Sequence, residues 1–102
     1  MNKHKAIVYL DIIDVEYNNV NLIETLENDP KVSKLDTDLV CVNLVNCRLI
    51  NLKPTTKKNK LFIDFINCHF ENLDFKEMKN LDYSIIGRKN TFRKVKNILE
   101  ED

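Results

Sequence analysis

The sequence predicts a small α/β fold. It consists of one mostly parallel sheet of about four strands built from 21-residue repeats, with a helix near 19–28 and a C-terminal helix. Three observations lead there. A ten-residue phrase occurs three times, as Ile13–Leu22, Val45–Pro54 and Ile66–Phe75. Each copy follows an apolar run broken by one polar residue: Tyr9–Ile12, Cys41–Leu44 and Phe62–Phe65. The second and third runs stand 21 positions apart, a further 21 reaches Ser84, and the first interval is 32. A unit that recurs at a fixed period cannot bury its apolar side alone, so it stacks on its neighbours. Strands separated by intervals this long, with helical pieces between them, are most simply parallel.

The elements follow in order. Lys5–Ile13, rich in Ile, Val and Tyr, reads as a strand. Asn19–Asn28 places Val20, Leu22, Ile23 and Leu26 at helical spacing, and Pro30 ends that helix. Leu39–Val45 is the second strand, Lys53–Lys60 a polar loop, and Leu61–Ile66 the third strand. Leu73–Asn80 reads as a short helical turn. Leu81–Ile86 reads as a fourth strand ended by Gly87, the only glycine. Thr91–Glu100 reads as a helix carrying Phe92, Val95, Ile98 and Leu99 on one side.

The strands are apolar on both faces, as in buried parallel sheets. Either helices cover both sides, or one side is left for a partner. In-register stacking sets Tyr9, Cys41 and Phe62 in one row, Asp11, Asn43 and Asp64 in the next, and Ile13, Val45 and Ile66 in a third. Leu10, Val42 and Ile63 stack on the opposite face, as do Ile12, Leu44 and Phe65.

The phrase Leu39-x-x-Val42-x-Leu44-x-x-Cys47-x-Leu49-x-x-Leu52-x-Pro54 resembles a leucine-rich repeat. Lys60-x-x-Ile63-x-Phe65-x-x-Cys68-x-Phe70-x-x-Leu73 follows the same pattern. Ile7-x-x-Leu10-x-Ile12-x-x-Val15-x-Tyr17 is a copy with Val where Asn or Cys belongs. The resemblance implies a curved parallel sheet and a binding surface rather than catalysis. Read in fives, Cys68-His-Phe-Glu-Asn72 and Leu73-Asp-Phe-Lys-Glu77 resemble pentapeptide repeats. Leu61-Phe-Ile-Asp-Phe65, with a later strand and a basic helix, is similar to a STAS-type regulatory domain.

Composition narrows the function classes. The 102 residues suit one domain with one core, and 43% hydrophobic with 31% charged residues is ordinary for a globular chain. Sixteen basic and sixteen acidic residues cancel, so no bulk attraction to nucleic acid or membrane follows. Lys outnumbers Arg thirteen to three and there are fourteen Asn, a bias expected of an AT-rich genome such as a low-GC bacterium, its phages or some parasites. No run approaches the length of a membrane span. Ala6–Leu10 is too short for a signal-peptide core, and three cysteines, an odd number, fit reduced thiols. The expected location is cytoplasmic.

Candidate sites are few. Cys47 and Cys68 occupy equivalent slots, but the spacing is no zinc motif, so buried structural thiols are expected and no metal. Asp11, Asn43 and Asp64 form a polar row without a nucleophile, base and orienter set beside it. His4 and His69 have no Ser, Cys or Asp at a catalytic spacing, and a lone glycine makes no phosphate loop. No catalytic residue and no cofactor is expected.

Partner binding is expected at Tyr9, Asp11, Ile13, Cys41, Asn43, Val45, Phe62, Asp64 and Ile66, unless the C-terminal helix covers that face. The expected function is a non-enzymatic protein–protein interaction module of the inhibitor, immunity or adaptor kind, binding another protein or itself. The alternative is a regulator binding nucleic acid or nucleoprotein through Lys53, Lys57, Lys58 and Lys60 together with Arg88, Lys89, Arg93, Lys94 and Lys96.

Overall fold

A computed structural model of the chain describes residues 7–37, 39–55, 61–78, 82–84 and 88–98. The chain is α/β and its sheets are parallel. The strands are β1 (Val8–Ile13), β2 (Glu16–Asn18), β3 (Val40–Val45), β4 (Arg48–Ile50), β5 (Leu61–Ile66), β6 (His69–Asp74), β7 (Asp82–Ser84) and β8 (Thr91–Lys96). They form two four-stranded sheets, ordered β1-β3-β5-β7 and β2-β4-β6-β8. Odd strands lie in the first sheet and even strands in the second, so each passage of the chain adds one strand to each. The register pairs Val40 with Leu61 and Val45 with Ile66, the 21-residue offset read in the sequence. β1 meets β3 with Val8 opposite Val40, the longer interval. That interval holds two short helices, α1 (Leu22–Glu27) and α2 (Pro30–Ser33).

Local chemistry explains these boundaries. The side chain of Asn21 accepts a hydrogen bond from Glu24 N–H and caps α1. Asp29 caps α2 in the same way through Lys31 N–H. Pro30 therefore begins a second helix instead of merely ending the first: at the first helical position its missing N–H costs nothing. The turn expected within Leu73–Asn80 is a 3₁₀ turn at Phe75–Glu77.

The C-terminal segment departs from expectation. Thr91–Lys96 is β8, a strand paired in parallel with β6, not a helix. The basic helix required by the STAS-type resemblance is thus a strand within the described residues. Phe92 and Val95 are three apart because the chain turns a corner between them at Lys94, where φ is 54°. The same spacing joins Leu49 to Leu52 across Asn51, and Phe70 to Leu73 across Asn72, each with φ of 51°. An i, i+3 apolar pair is a helical signal only when no left-handed residue stands between its members. Residues 99 and 100 lie outside the described residues, as do 79–81 and 85–87 at the bounds of the fourth strand.

The second sheet has no clear signal in the sequence. β2 and β4 are three residues long and turn only Tyr17, or Leu49 and Ile50, inward, too short a run for alternation to register.

The core lies between the sheets. Val40, Val42, Leu44, Ile63 and Phe65 enter it from the first sheet and Leu49 and Phe70 from the second. Leu22, Ile23 and Leu26 of α1 and Val32 of α2 join them. Phe70 is its aromatic centre. It meets Phe65 edge-on at 5.0 Å and Phe75 edge-on at 5.4 Å, and stacks on Phe92 at 5.3 Å. Each such pair adds roughly 0.5–1.5 kcal/mol beyond area burial.

Candidate protein-binding face

Alternation along β1, β3 and β5 sends every second side chain away from the core. The register then aligns those side chains into the three expected rows: Tyr9–Cys41–Phe62, Asp11–Asn43–Asp64 and Ile13–Val45–Ile66. All nine residues share one outward face. Tyr9 is 69% exposed, Ile13 56% and Phe62 45%, whereas Cys41, Asn43, Val45, Asp64 and Ile66 are half-buried and Asp11 is exposed. The segment expected to cover this face as a helix is instead β8, in the other sheet. Ile7, two positions before Tyr9 and 49% exposed, extends the apolar surface. Sequence reasoning passed over it, although the same alternation points to it.

The middle row is polar and internally bonded. Asn43 Nδ2 donates to Asp11 Oδ1 at 3.0 Å, and Arg88 Nη1 lies 3.3 Å from Asp64 Oδ2. Asp11 and Asp64 lie on strands two spacings apart, about 10 Å, too far to share a proton. Among the described residues no group of three or more His, Cys, Asp or Glu side chains is placed to hold a metal ion.

The cysteines serve the fold. Cys47 and Cys68 are buried, and Cys41 is the half-buried member of the face. The Cys47 thiol donates to the Ile12 carbonyl at 3.4 Å and the Cys68 thiol to the Leu44 carbonyl at 3.1 Å. At the next equivalent position Asn90 takes over: its Nδ2 donates to the Phe65 carbonyl at 2.9 Å and its Oδ1 accepts from Cys68 N–H at 2.8 Å. The contact with the Cys47 thiol, then burial, pushes the Cys68 thiol up, so it stays protonated. Burial likewise pushes the Tyr17 phenol up to about 12, with Cys47 and Asp29 adding to it.

The outer face of the second sheet is charged. Arg48 Nε lies 3.2 Å from Glu16, and Arg93 Nη1 lies 3.8 Å from Glu71. His69 Nδ1 is 2.8 Å from Thr91 Oγ1, and its Nε2 is 3.2 Å from Glu71 Oε1. His69 and Glu71 share β6, whereas Glu16 and Arg48, His69 and Thr91, and Glu71 and Arg93 come from neighbouring strands that the sequence separates by 20 or more positions, so no sequence spacing announced those pairs. Cross-strand hydrogen bonding on an open sheet accounts for it.

The basic residues divide. Lys53, Arg88, Lys89, Arg93, Lys94 and Lys96 are exposed, five of them in the last passage of the chain. Arg88 and Arg93 are engaged with Asp64 and Glu71. Lys57, Lys58 and Lys60 lie outside the described residues. Among the described residues no helix is long and apolar enough to cross a membrane. Comparison with protein-family models, curated proteins and solved structures finds no match.

Proposed function

We propose that the chain is a non-enzymatic protein-interaction module of the inhibitor, immunity or adaptor kind. It uses the outward face of the first sheet. The observation that carries this reading is a pair of apolar rows that no other described element covers, with Tyr9, Ile13 and Phe62 at 69%, 56% and 45% exposure on one sheet face. Isolated exposed apolar residues are ordinary, but rows of them on one sheet face mark interaction sites. Covering the part of each such side chain that is still exposed contributes roughly 1–2 kcal/mol, before the entropic cost of association. The leucine-rich-repeat resemblance supports the same reading, since it implies a parallel sheet that presents a binding surface. Stacked repeats would supply the scaffold and the face the recognition.

A second reading rests on the exposure of Lys89, Lys94 and Lys96 together with Arg88 and Arg93 in the last passage. A basic strip of this kind suits nucleic acid or nucleoprotein, and such binding weakens steeply with salt. One experiment separates the two. The protein, a Tyr9→Ser/Phe62→Ser variant and a Lys89→Gln/Lys94→Gln/Lys96→Gln variant are used to capture binders from an extract of the native host at low and high salt. Loss of a salt-resistant protein partner in the first variant alone supports the face. Loss of nucleic acid, captured only at low salt, in the second variant alone supports the basic strip and removes the first reading.

A further inference from the structure

The outward face of the first sheet is incomplete on one side, and what is missing has a pattern. β1 is its outermost strand, and among the described residues no strand lies beyond it. In each row the β1 residue is the most exposed member. Tyr9 is 69% exposed against 45% for Phe62, and Ile13 is 56% exposed where Val45 and Ile66 are half-buried. Asp11 is exposed where Asn43 and Asp64 are half-buried. An inner residue is screened by cross-strand neighbours on both sides, whereas Tyr9, Asp11 and Ile13 have one side only, on β3. Charge follows the same gradient. Asp64 has the Arg88 guanidinium at 3.3 Å, while among the described residues Asp11 receives a neutral amide, that of Asn43 at 3.0 Å.

We propose that the free edge of β1 accepts one extended strand of another protein, of the pattern apolar–x–Lys/Arg–x–apolar. The inference rests on the reading of this face as a protein-binding surface and names the partner's chemistry. The incoming main chain pairs with β1. Its period of two sets the basic side chain beside Asp11 and the flanking apolar side chains beside Tyr9 and Ile13. In strand addition the main chain supplies affinity and alternate side chains supply specificity. A second copy of β1, antiparallel and centred on the same residue, would set Asp11 against Asp11, and directly opposed like charges repel. Charge on an edge strand deters indiscriminate pairing. Here the same charge rejects an acidic strand and favours a basic one.

The test uses capped synthetic peptides and the full chain. In one peptide a lysine is flanked two positions away on each side by valine, with threonine between. A second carries glutamate for the lysine. Binding is followed by titration and by amide exchange of Val8–Ile13, for the protein and for its Asp11→Asn and Tyr9→Ser variants, with far-ultraviolet circular dichroism confirming that each variant folds. The expected result is binding of the lysine peptide with slowed exchange in β1. Affinity should fall about tenfold or more for the glutamate peptide and for Asp11→Asn. Equal binding of both peptides, lost in Tyr9→Ser, would overturn the basic-strand inference and leave the binding face standing. No binding by either peptide would overturn it as well, while the capture experiment above decides the face separately. A dimer in sedimentation that Tyr9→Ser abolishes would show that a second copy fills the edge, and would also overturn it.

Discussion

At Asn46, Asn51, Asn67 and Asn72 the backbone enters the left-handed region, with φ between 51° and 54°. Asp14 and Asn19 do the same in the first passage and Lys89 and Lys94 in the last. The register gathers these eight residues into two columns, one at each end of the second sheet's first three residues. Asn and Asp tolerate this conformation where most residues with a Cβ pay roughly 1–2 kcal/mol. They also bond along the columns: Asn46 donates to Asp14, Asn67 to Asn46 and Asn72 to Asn51, while Asn51 donates to Asn18, the neighbour of the column member Asn19. Much of the asparagine bias, read from composition as a mark of the genome, thus has a structural use in a chain with one glycine. Lysine in the last passage breaks both columns. Lys94→Asn is expected to stabilise the protein by up to about 1 kcal/mol, and Asn51→Ala to destabilise it by about 1–2 kcal/mol. Urea midpoints shifting at constant slope would check both. The cysteine slot was legible from its recurrence, and its burial follows expectation. A thiol reagent added to native protein should label Cys41 first and reach Cys47 and Cys68 only on unfolding, as mass mapping of the labelled protein would show.

The elements read well where apolar runs are long and poorly where corners intervene. β1, β3 and β5 stand out because each is a continuous run of mostly apolar residues, apolar on both faces, and in the structure their side chains alternate between core and outward face. β8 carries a helical signal in the sequence because the corner at Lys94 converts strand geometry into an i, i+3 spacing. Its attachment to β6 is polar as well as apolar. Hydrogen bonding from His69 on the same strand, and then the Arg93 guanidinium of β8, holds the Glu71 carboxyl below its ordinary value of 4.5. The Asn97 amide and then Lys76 N–H hold the Asp74 carboxyl below 3.8. A carboxyl whose folded pKa is depressed adds stability in full above its unfolded value and loses it as the pH falls through the lower folded value. The β6–β8 attachment is therefore expected to weaken below about pH 4. Acid unfolding of a Glu71→Gln/Asp74→Asn variant should show a shallower fall in stability over that range than the parent. An identical acid profile would assign the loss to other carboxyls. Leu49→Ala, at the inward position of β4, should cost about 2–5 kcal/mol by equilibrium unfolding, since the residue is fully buried.

At the scale of the molecule, parallel stacking gives the first sheet two unlike faces. One closes on Phe65, Leu44 and Val42. The other presents Tyr9, Ile13 and Phe62 around a row of Asp11, Asn43 and Asp64. The sequence made the rows visible and the identity of the cover invisible, because Thr91–Lys96 carries the spacing of a helix that would have lain across them. Substitution by Ser is expected to cost about 0.5 kcal/mol or less at Tyr9 and about 1 kcal/mol at the half-buried Phe62, while removing partner capture. The most direct measurement is amide exchange on the protein free and in the complex recovered from its host. Slowed exchange confined to Val8–Ile13, Val40–Val45 and Leu61–Ile66 is the result predicted for a partner seated on the first sheet. Unchanged exchange there, with slowing at 88–96 instead, would contradict it.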